Sequence, residues 1–324
     1  MNVLVLGGTR FLGRNIVETL ATGGHAVTCF HRGTSPCRLP SGVRELFGNR
    51  DEPLPATLDQ AWEAVVDVSG QQPAQVARSS ELRTQRYAFV STLNVYADLS
   101  RTGVTESDAT IESFDPADAA MVYGANKAVC ERIVRQRFAD SATILRPGII
   151  VGRWDYTGRF SYWPRRVLRG GRFVAPAPPQ RPLQFVDARD VAAFVARIIG
   201  DGIGGTYNIA GPPAPFTLGE LLDTCRVAAT RLGAPAAEPV YLRGETLREH
   251  GVEPWVDLPM WLDDSQYAGL FSIDNARSVA AGCCYAPPFD TVNALMDWLG
   301  TPEGEAAPQP GLTPEREAAL LSLV

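Results

Sequence analysis

Short apolar runs, each followed by turn residues, recur along the chain and predict strands that are buried on both faces of a parallel sheet. These runs occupy residues 3–6, 26–30, 64–69, 87–91 and 207–211. Between the first two runs, Ile16, Val17 and Leu20 share one side of a predicted helix, which Gly23 and Gly24 close. Strand, helix and strand in this order predict an α/β fold with a doubly wound parallel sheet.

The turn between the first strand and the first helix is rich in glycine. It reads Gly7-Gly8-Thr9-Arg10-Phe11-Leu12-Gly13. Glycine permits a tight turn, so that backbone N–H groups and the N-terminus of the helix can meet a pyrophosphate. A strand, a glycine turn, a helix and a strand within about 30 residues are typical of dinucleotide-binding sites. An ordinary glycine-rich loop is the alternative interpretation.

The second strand is followed by Arg32, and no Asp or Glu occurs between Gly24 and Arg44. Sites that select NAD place an acidic residue here for the ribose 2′-hydroxyl, whereas an arginine accommodates the 2′-phosphate of NADP. Arg32, with Arg10 as a second cation, therefore predicts that NADP is preferred over NAD as the cofactor. A solvated turn arginine is the alternative interpretation.

Lys127 is the only lysine of the chain, and the other 29 basic side chains among the 30 are arginines. Arginine is a planar, permanently charged fork, whereas lysine is a compact point charge, so this position has a use for an ammonium. Tyr123 lies four residues earlier and shares a helix face with Lys127. A nearby cation lowers the pKa of a tyrosine from about 10 and makes Tyr123 a candidate proton donor and acceptor. A chance Tyr-x-x-x-Lys on a surface helix is the alternative.

Polar residues follow the third and fourth apolar runs, where ligands meet a doubly wound sheet. Gly70 and Gln71 lie just beyond one run, and Ser91 and Thr92 end the next one. Two hydroxyls at the end of a strand more often belong to a turn than to a catalytic site. Because the helix with Tyr123 comes next, a functional role is favoured here.

Four sequence features in a fixed order resemble those of a known superfamily. They are the glycine turn, Val90-Ser91-Thr92 with Val95-Tyr96, Tyr123-x-x-x-Lys127, and Leu145-Arg146-Pro147-Gly148. The chain resembles the extended short-chain dehydrogenase/reductase superfamily, in its NAD(P)-dependent epimerase/dehydratase-like branch. The resemblance implies a Rossmann domain with a smaller C-terminal substrate-binding subdomain.

The resemblance also implies roles for individual residues. Tyr123 is expected to be the catalytic acid/base, and Lys127 is expected to bind the nicotinamide ribose and to lower the pKa of Tyr123. Thr92 is expected to hydrogen-bond the substrate oxygen, with Ser91 as the other candidate. The six cysteines and three histidines show no metal-ligand pattern. The expected cofactor-binding residues are Gly7, Thr9, Arg10, Phe11, Leu12, Gly13, Arg32, Ser69, Gly70, Ser91, Tyr123, Lys127, Pro147, Gly148 and Ile149.

Three positions depart from the usual patterns of the superfamily. Arg10 replaces the middle glycine of the turn, as in an atypical subgroup that includes bacterial reductase-like proteins and chloroplast stem-loop RNA-binding proteins. Leu93 and Asn94 stand where sugar-nucleotide dehydratases carry Asp-Glu, so the acid and base needed to eliminate water are missing. A Pro-Gly pair follows Arg146 where many sugar-nucleotide epimerases carry an asparagine. Functions on sugar nucleotides are therefore disfavoured.

The expected domain boundaries follow changes in composition along the chain. Residues 1–151 and 184–211 are predicted to form the NAD(P)-binding Rossmann domain. Residues 152–183 and 212–300 are predicted to form the substrate-binding subdomain from two excursions of the chain. Residues 301–324 are expected to be a flexible tail that ends in a short helix.

The segment of residues 153–172 contains six arginines interleaved with aromatic residues. Such a loop could hold a phosphate, an acidic substrate or single-stranded RNA by charge and stacking. The alternative is a half-buried loop whose arginines pair with the carboxylates of this acidic protein. Likewise, the aromatic residues between positions 251 and 271 could line an apolar pocket or pack in the core.

The composition limits the range of partners. A net charge of −6 and a pI near 5.2 disfavour nucleic acid and anionic membrane surfaces as partners. No apolar run reaches the ~18–20 residues of a membrane span, and the first run passes directly into glycines, so no signal peptide is expected. The cysteine pattern fits reduced thiols in a cytoplasmic protein. Relatives commonly dimerise through the helix that bears Tyr123, so the resemblance implies a possible homodimer.

Together these features predict an NAD(P)(H)-dependent oxidoreductase that transfers a hydride to or from a carbonyl or alcohol carbon of a small organic molecule. Thr92 would orient the substrate oxygen, Tyr123 would act as the acid/base, and Lys127 would hold the ribose. One alternative is an epimerase that retains its NAD(P) and oxidises and re-reduces one substrate. An alternative of another class is an RNA-binding protein on a reductase-like scaffold, which the complete set of three catalytic residues disfavours.

Overall fold

Parallel strand pairing organises the part of the chain that this computed structural model describes, which is residues 1–35, 37–115 and 117–324. Within these residues the strands are β1 (Asn2–Leu6), β2 (Ala26–His31), β3 (Arg44–Phe47), β4 (Trp62–Asp67), β5 (Thr84–Val90), β6 (Ala142–Pro147), β7 (Ile150–Val151), β8 (Gly171–Pro176), β9 (Val186–Asp187), β10 (Gly205–Ile209) and β11 (Ala237–Leu242). Seven of these described strands form one parallel sheet in the order β10–β6–β5–β4–β1–β2–β3. Two small sheets pair β7 with β9 and β8 with β11.

Four of the predicted apolar runs form inner strands of the large sheet, and the fifth forms the edge strand β10. The structure confirms strands at the first four predicted runs, as β1, β2, β4 and β5. It also confirms a strand near the last predicted run, as β10. The order of the strands reverses between β1 and β4, so the carboxyl ends of these two strands meet at a topological switch point, where open α/β sheets bind ligands. The sequence did not predict β3, because this edge strand exposes Arg44, Glu45 and Phe47 and has no apolar run.

Helices cover both faces of the sheet. In the described residues they are α1 (Phe11–Thr22), α2 (Pro73–Ser80), α3 (Ala119–Phe138), α4 (Tyr162–Leu168), α5 (Ala188–Asp201), α6 (Leu218–Arg231), α7 (Gly244–Glu249), α8 (Ala276–Ala280), α9 (Pro288–Leu299), α10 (Pro302–Glu305) and α11 (Pro314–Leu321). Ile16 of α1 and Val195 of α5 pack on one face of the sheet, and Val76 of α2 and Val134 of α3 pack on the other. None of the helices in the described ranges has the length and apolar character that crossing a membrane requires.

A second hydrophobic core lies in the C-terminal region and joins two separate stretches of the chain. Phe160 and Trp163 come from the first stretch, and Leu221, Trp261 and Leu295 come from the second. Burial of Phe160, Leu221 and Leu295 contributes about 1.5–3 kcal/mol for each side chain relative to an exposed position. The stretches 152–183 and 212–300 thus share a hydrophobic core that is separate from the sheet. This core supports the proposal that they form a substrate-binding subdomain.

The segment of residues 301–324 packs against this second core. Leu312 and Leu320 are buried in it, and a carboxylate oxygen of Glu317 lies 2.6 Å from Nε of Arg166. The structure therefore differs from the expected flexible tail, because α10 and α11 are held by apolar and ionic contacts. The composition of the segment does not reveal these contacts, since Arg166 lies 151 residues earlier in the chain.

Candidate active site

A cleft with a volume of about 560 Å³ lies at the carboxyl ends of the sheet strands. The glycine turn, the ends of β2, β5 and β6, helix α3 and the segment of residues 155–160 all contribute to its lining. Every residue predicted to bind the cofactor or the substrate lines the cleft except Gly70, and this set comprises Gly7, Thr9, Arg10, Phe11, Leu12, Gly13, Arg32, Ser69, Ser91, Thr92, Tyr123, Lys127, Pro147, Gly148 and Ile149.

The glycine turn is packed too closely to accept side chains at its glycines. Gly7 has a φ of 92°, and a Cβ on Gly13 would lie 2.0 Å from the carbonyl oxygen of Gly7. Helix α1 begins at Phe11, and its N-cap residue is Arg10. The side chain of Arg10 does not cap the amides of the first turn. Free N–H groups at a helix N-terminus attract anions, so this turn fits the pyrophosphate of a dinucleotide.

Lys127 is held between the ends of β4 and β5. Its Nζ donates hydrogen bonds to the carbonyl oxygens of Gly70, at 2.9 Å, and Val90, at 2.5 Å, and lies 4.2 Å from the centre of the Phe89 ring. Burial lowers the pKa of Lys127 to about 8, and the negative charge of Asp67 opposes this shift. An ammonium has three N–H donors, so one is left for a ligand in the cleft.

Gly124 allows Tyr123 to come close to Thr92. A Cβ on Gly124 would lie 2.1 Å from the carbonyl oxygen of Asn94, so α3 approaches the turn after β5 more closely than a side chain would permit. Tyr123 is 44% exposed towards the cleft and forms a hydrogen bond with Thr92. Thr92 also accepts a hydrogen bond from the amide of Asn94 at 3.2 Å, which fixes the rotamer of its side chain.

The pKa of Tyr123 differs from the expectation that an adjacent ammonium lowers it. Desolvation in the cleft raises this pKa above its usual value, and the hydrogen bond with Thr92 lowers it only in part. The ammonium of Lys127 is itself engaged by the carbonyl oxygens of Gly70 and Val90. The phenol of Tyr123 is therefore protonated at neutral pH, as an ordinary tyrosine is.

The hydroxyl of Ser91, which directly follows β5, is hydrogen-bonded to a buried ion pair. Its Oγ donates a hydrogen bond to Oε1 of Glu131 at 2.6 Å, and Oε2 of Glu131 lies 2.7 Å from Nη2 of Arg146. The Arg146 guanidinium in turn lies 4.7 Å from the centre of the Tyr96 ring. Thr92 is therefore the better placed hydroxyl for a substrate oxygen.

A buried ion pair that the sequence did not reveal supports the wall of the cleft. Nη1 and Nη2 of Arg50 lie 2.6 and 2.7 Å from the two carboxylate oxygens of Asp67, and the pair is almost inaccessible to solvent. Arg50 and Asp67 each lower the free energy of the other's charged form, so the pKa of Asp67 is held below its usual value despite burial. The Asp67 carboxylate also accepts hydrogen bonds from the amides of Ser69 and Gly70.

Arg32 is exposed at the end of β2 and lines the cleft, as predicted. Among the described residues, its side chain has no carboxylate partner. The carboxylate of Glu45, on the neighbouring strand, lies 2.8 Å from Nε2 of His31 and is therefore engaged elsewhere. Asp51 was not predicted from the sequence; it follows β3, lines the cleft and accepts a hydrogen bond from Gln75.

The segment of residues 153–172 contributes to both the cleft and the second core. Arg10 does not stand free in the cleft, because its guanidinium carbon lies 4.4 Å from the centre of the Tyr156 ring. Phe160 and Trp163 are buried, and Arg166 pairs with Glu317, so core packing and internal ion pairing account for much of the segment. The described residues contain no group of three or more side chains that could hold a metal ion.

Two comparisons by sequence place these features in a family. The model of the NAD dependent epimerase/dehydratase family matches residues 54–210. A 2′-dehydrokanamycin reductase from Streptomyces kanamyceticus is 32% identical over 263 residues, which cover 77% of this chain and 72% of that protein. The chloroplast stem-loop binding protein of 41 kDa b from Arabidopsis thaliana is 24% identical over 315 residues, which cover 91% of this chain and 77% of that protein.

A comparison by structure shows the same fold. The crystal structure of UDP-glucose 4-epimerase from Thermus thermophilus, a complex with NAD, matches with a TM-score of 0.62 and 19% identity. The match covers 93% of this chain and 100% of the epimerase. The fold, the family match and the identity to the reductase agree, and the chain belongs to the NAD-dependent epimerase/dehydratase family of extended short-chain dehydrogenase/reductases.

Proposed function

We propose that this protein is an NADP(H)-dependent reductase that transfers a hydride between its cofactor and a carbonyl or alcohol carbon of a small organic molecule. The observation that carries the proposal is that Thr92, Tyr123 and Lys127 line one cleft together with the glycine turn. A scaffold without chemistry has no use for all three side chains. The reductase from Streptomyces kanamyceticus supports the same class of reaction.

The residues that would hold the cofactor fit a nicotinamide dinucleotide. The amides of the glycine turn would bind the pyrophosphate, and the remaining N–H donor of Lys127 would bind the nicotinamide ribose. Arg32 has no carboxylate partner among the described residues, so its guanidinium would be available to the 2′-phosphate that distinguishes NADP from NAD. When bound, the cofactor would supply the hydride.

In the direction of reduction, the protein's own task is to orient the carbonyl and to deliver a proton. Thr92 would hold the substrate oxygen by a hydrogen bond, and Tyr123 would donate its phenolic proton to that oxygen as the alcohol forms. A phenol is protonated at neutral pH, and the hydrogen bond between Tyr123 and Thr92 places this proton donor beside the residue that would hold the substrate oxygen. Solvent at the exposed part of Tyr123 would then restore the proton.

An epimerase that retains its cofactor is the second candidate function. The NAD complex of the 4-epimerase with the same fold favours it. The two candidates differ in the fate of the nucleotide, which mass spectrometry of the denatured, freshly purified protein would reveal. A nucleotide-free protein that takes up added NADPH and oxidises it in the presence of carbonyl compounds would support the reductase. Stoichiometric nucleotide carried through purification would support the epimerase.

RNA binding, the function class in the name of the chloroplast relative, has less support. The arginines of residues 153–172 that would contact a phosphate backbone are partly engaged within the protein. Arg153 pairs with Glu18, Arg165 donates to the carbonyl oxygen of Gly304, and Arg166 pairs with Glu317. RNA affinity that falls steeply with salt concentration would revive this alternative.

A further inference from the structure

The charges that line the cleft are unevenly balanced. Its lining contains five cationic side chains and two carboxylates, although the whole chain has a net charge of −6. Arg50 is neutralised by Asp67, Lys127 lies among backbone carbonyl oxygens, and Arg10, within the glycine turn, lies over the ring of Tyr156. The remaining two lining cations are Arg32 and Arg159. A 2′-phosphate would account for Arg32, which leaves the charge of Arg159 without a function.

Arg159 lies where the two excursions of the substrate-binding subdomain meet in the cleft. Its guanidinium carbon lies 5.3 Å from the centre of the Trp255 ring, and both residues line the cleft. Trp255 has a φ of 67°, a left-handed conformation that is costly for a bulky residue and is often found at binding sites. The guanidinium and the indole therefore form one surface with a charged part and an apolar part.

Among the arginines of residues 153–172 that line the cleft, Arg159 stands alone in the described part of the chain, and it has no ion-pair partner there. Arg153 and Arg166 pair with glutamates, whereas no carboxylate of the described residues forms an ion pair with Arg159. Asp155 lies in electrostatic range of Arg159, but its oxygens accept hydrogen bonds from the amide and the hydroxyl of Thr157, at 2.8 and 3.0 Å. The donors of the Arg159 guanidinium are thus available to a ligand.

We propose that Arg159 and Trp255 form a subsite for an anionic, carboxylate- or phosphate-like group of the substrate, next to an apolar or planar part that packs on the indole. This inference rests on the proposed function, because it assigns the substrate class of the same cleft. Arg159, Trp255 and Tyr123 line the same cleft, so a substrate held here would share the cleft with the proposed proton donor. Charge-assisted hydrogen bonds from an arginine fork favour such anionic groups.

Benzoate and benzamide are a matched pair of probes for this subsite, since they share a planar ring and differ in charge. Isothermal titration of the NADP+-saturated protein would measure both affinities, with the cofactor excluding anions from the pyrophosphate site. We expect the Kd of benzoate to be lower than that of benzamide by a factor of about ten or more. Arg159→Gln should remove this preference, Arg159→Lys should retain part of it, and Arg169→Gln should leave it unchanged. Arg169 is an arginine of the same segment that does not line the cleft.

Three results would overturn the subsite: equal affinities for the two probes, no saturable binding of benzoate, or an unchanged preference in Arg159→Gln. Circular dichroism and NADP+ affinity of each variant would show that the variant is folded. Turnover is not needed for this measurement. Selective benzoate binding without NADPH oxidation by any carbonyl compound would therefore contradict the proposed reductase and leave the subsite intact.

Discussion

The Nζ of Lys127 lies 2.9 Å from the carbonyl oxygen of Gly70, while the amide of Gly70 lies 2.9 Å from the carboxylate of Asp67. One peptide segment thus links the proposed catalytic ammonium to a buried carboxylate. Asp67 is in turn held by Arg50 through two ionic hydrogen bonds. The position of Lys127 therefore depends on an ion pair that touches neither substrate nor cofactor in the proposed mechanism.

We predict that Asp67→Asn lowers the free energy of unfolding by about 3–5 kcal/mol, because it leaves the buried charge of Arg50 unpaired. It should also weaken NADPH binding, since the amide of Gly70 loses a charged acceptor. Urea denaturation and fluorescence titration with NADPH would measure the two effects.

The double variant Arg50→Met with Asp67→Leu is the control for this ion pair. Removal of both charges leaves no uncompensated ion, so its unfolding free energy should lie closer to the wild type than that of Asp67→Asn. Should Asp67→Asn be as stable as the wild type, the ion pair would have no role in holding this wall of the cleft.

We predict that arginine cannot replace Lys127. Lys127→Arg should lose activity, because the wider guanidinium does not fit between the carbonyl oxygens of Gly70 and Val90. Full activity of Lys127→Arg would contradict the need for an ammonium at this position. NADPH oxidation in the presence of a carbonyl substrate is the measurement.

The pH dependence follows from the buried ammonium. The pKa of Lys127 is about 8 in the folded protein, below its usual value of 10.5, so the unfolded chain binds more protons between these pH values. The stability of the wild type should therefore rise with pH in this window. Lys127→Met should lack this rise. The unfolding free energy of the wild type minus that of Lys127→Met should therefore increase by about 2–3 kcal/mol from pH 7 to pH 10. Parallel pH curves for the two proteins would contradict this assignment.

Gly124 is predicted to be essential for the approach of Tyr123 to Thr92. In Gly124→Ala, the new Cβ would lie 2.1 Å from a backbone oxygen of Asn94, so α3 must shift. We expect a loss of about 1–3 kcal/mol in unfolding free energy and a loss of activity. Gly200→Ala is the matched control, because its Cβ would meet no atom within 4 Å and alanine favours a helix. Thermal unfolding of both variants would test this, and equal stabilities would refute it.

Arg32 is predicted to select the cofactor. Arg32→Gln should weaken NADPH binding about tenfold or more and leave NADH binding unchanged, since only NADPH carries the 2′-phosphate. Arg38→Gln, a change at an exposed arginine that does not line the cleft, should affect neither nucleotide. A wild-type protein that binds NADH as tightly as NADPH would show that the exposed Arg32 does not determine the preference.

The sequence predicts the inner sheet well because a strand buried on both faces must be apolar throughout. This holds for β1 and for β4, whose residues are mostly buried. It fails for the edge strand β3, and the cleft residues that follow it, including Asp51, were missed for the same reason. Tyr123 and Lys127 could be named because the single lysine and its spacing from Tyr123 are visible in the sequence, whereas the role of Thr92 was implied by the family resemblance.

Contacts between distant parts of the chain could not be predicted in this way. The pairing of Arg50 with Asp67 and the contact of Arg159 with Trp255 depend on how the backbone folds, and neither pair has a characteristic spacing. The raised pKa of Tyr123 also depends on the fold, because its main cause is desolvation in the cleft. Helical spacing places Lys127 on its face, but the carbonyl oxygens that engage the ammonium come from the ends of two strands.

The most direct test of the proposed mechanism is the comparison of Tyr123→Phe with the wild type in NADPH oxidation against a panel of carbonyl compounds. Loss of the phenolic proton should lower kcat about 10²–10⁴-fold, while the Kd for NADPH stays within about twofold of the wild type. This result would identify Tyr123 as the acid/base of a reductase. Normal turnover by Tyr123→Phe on a carbonyl that the wild type reduces would contradict the mechanism.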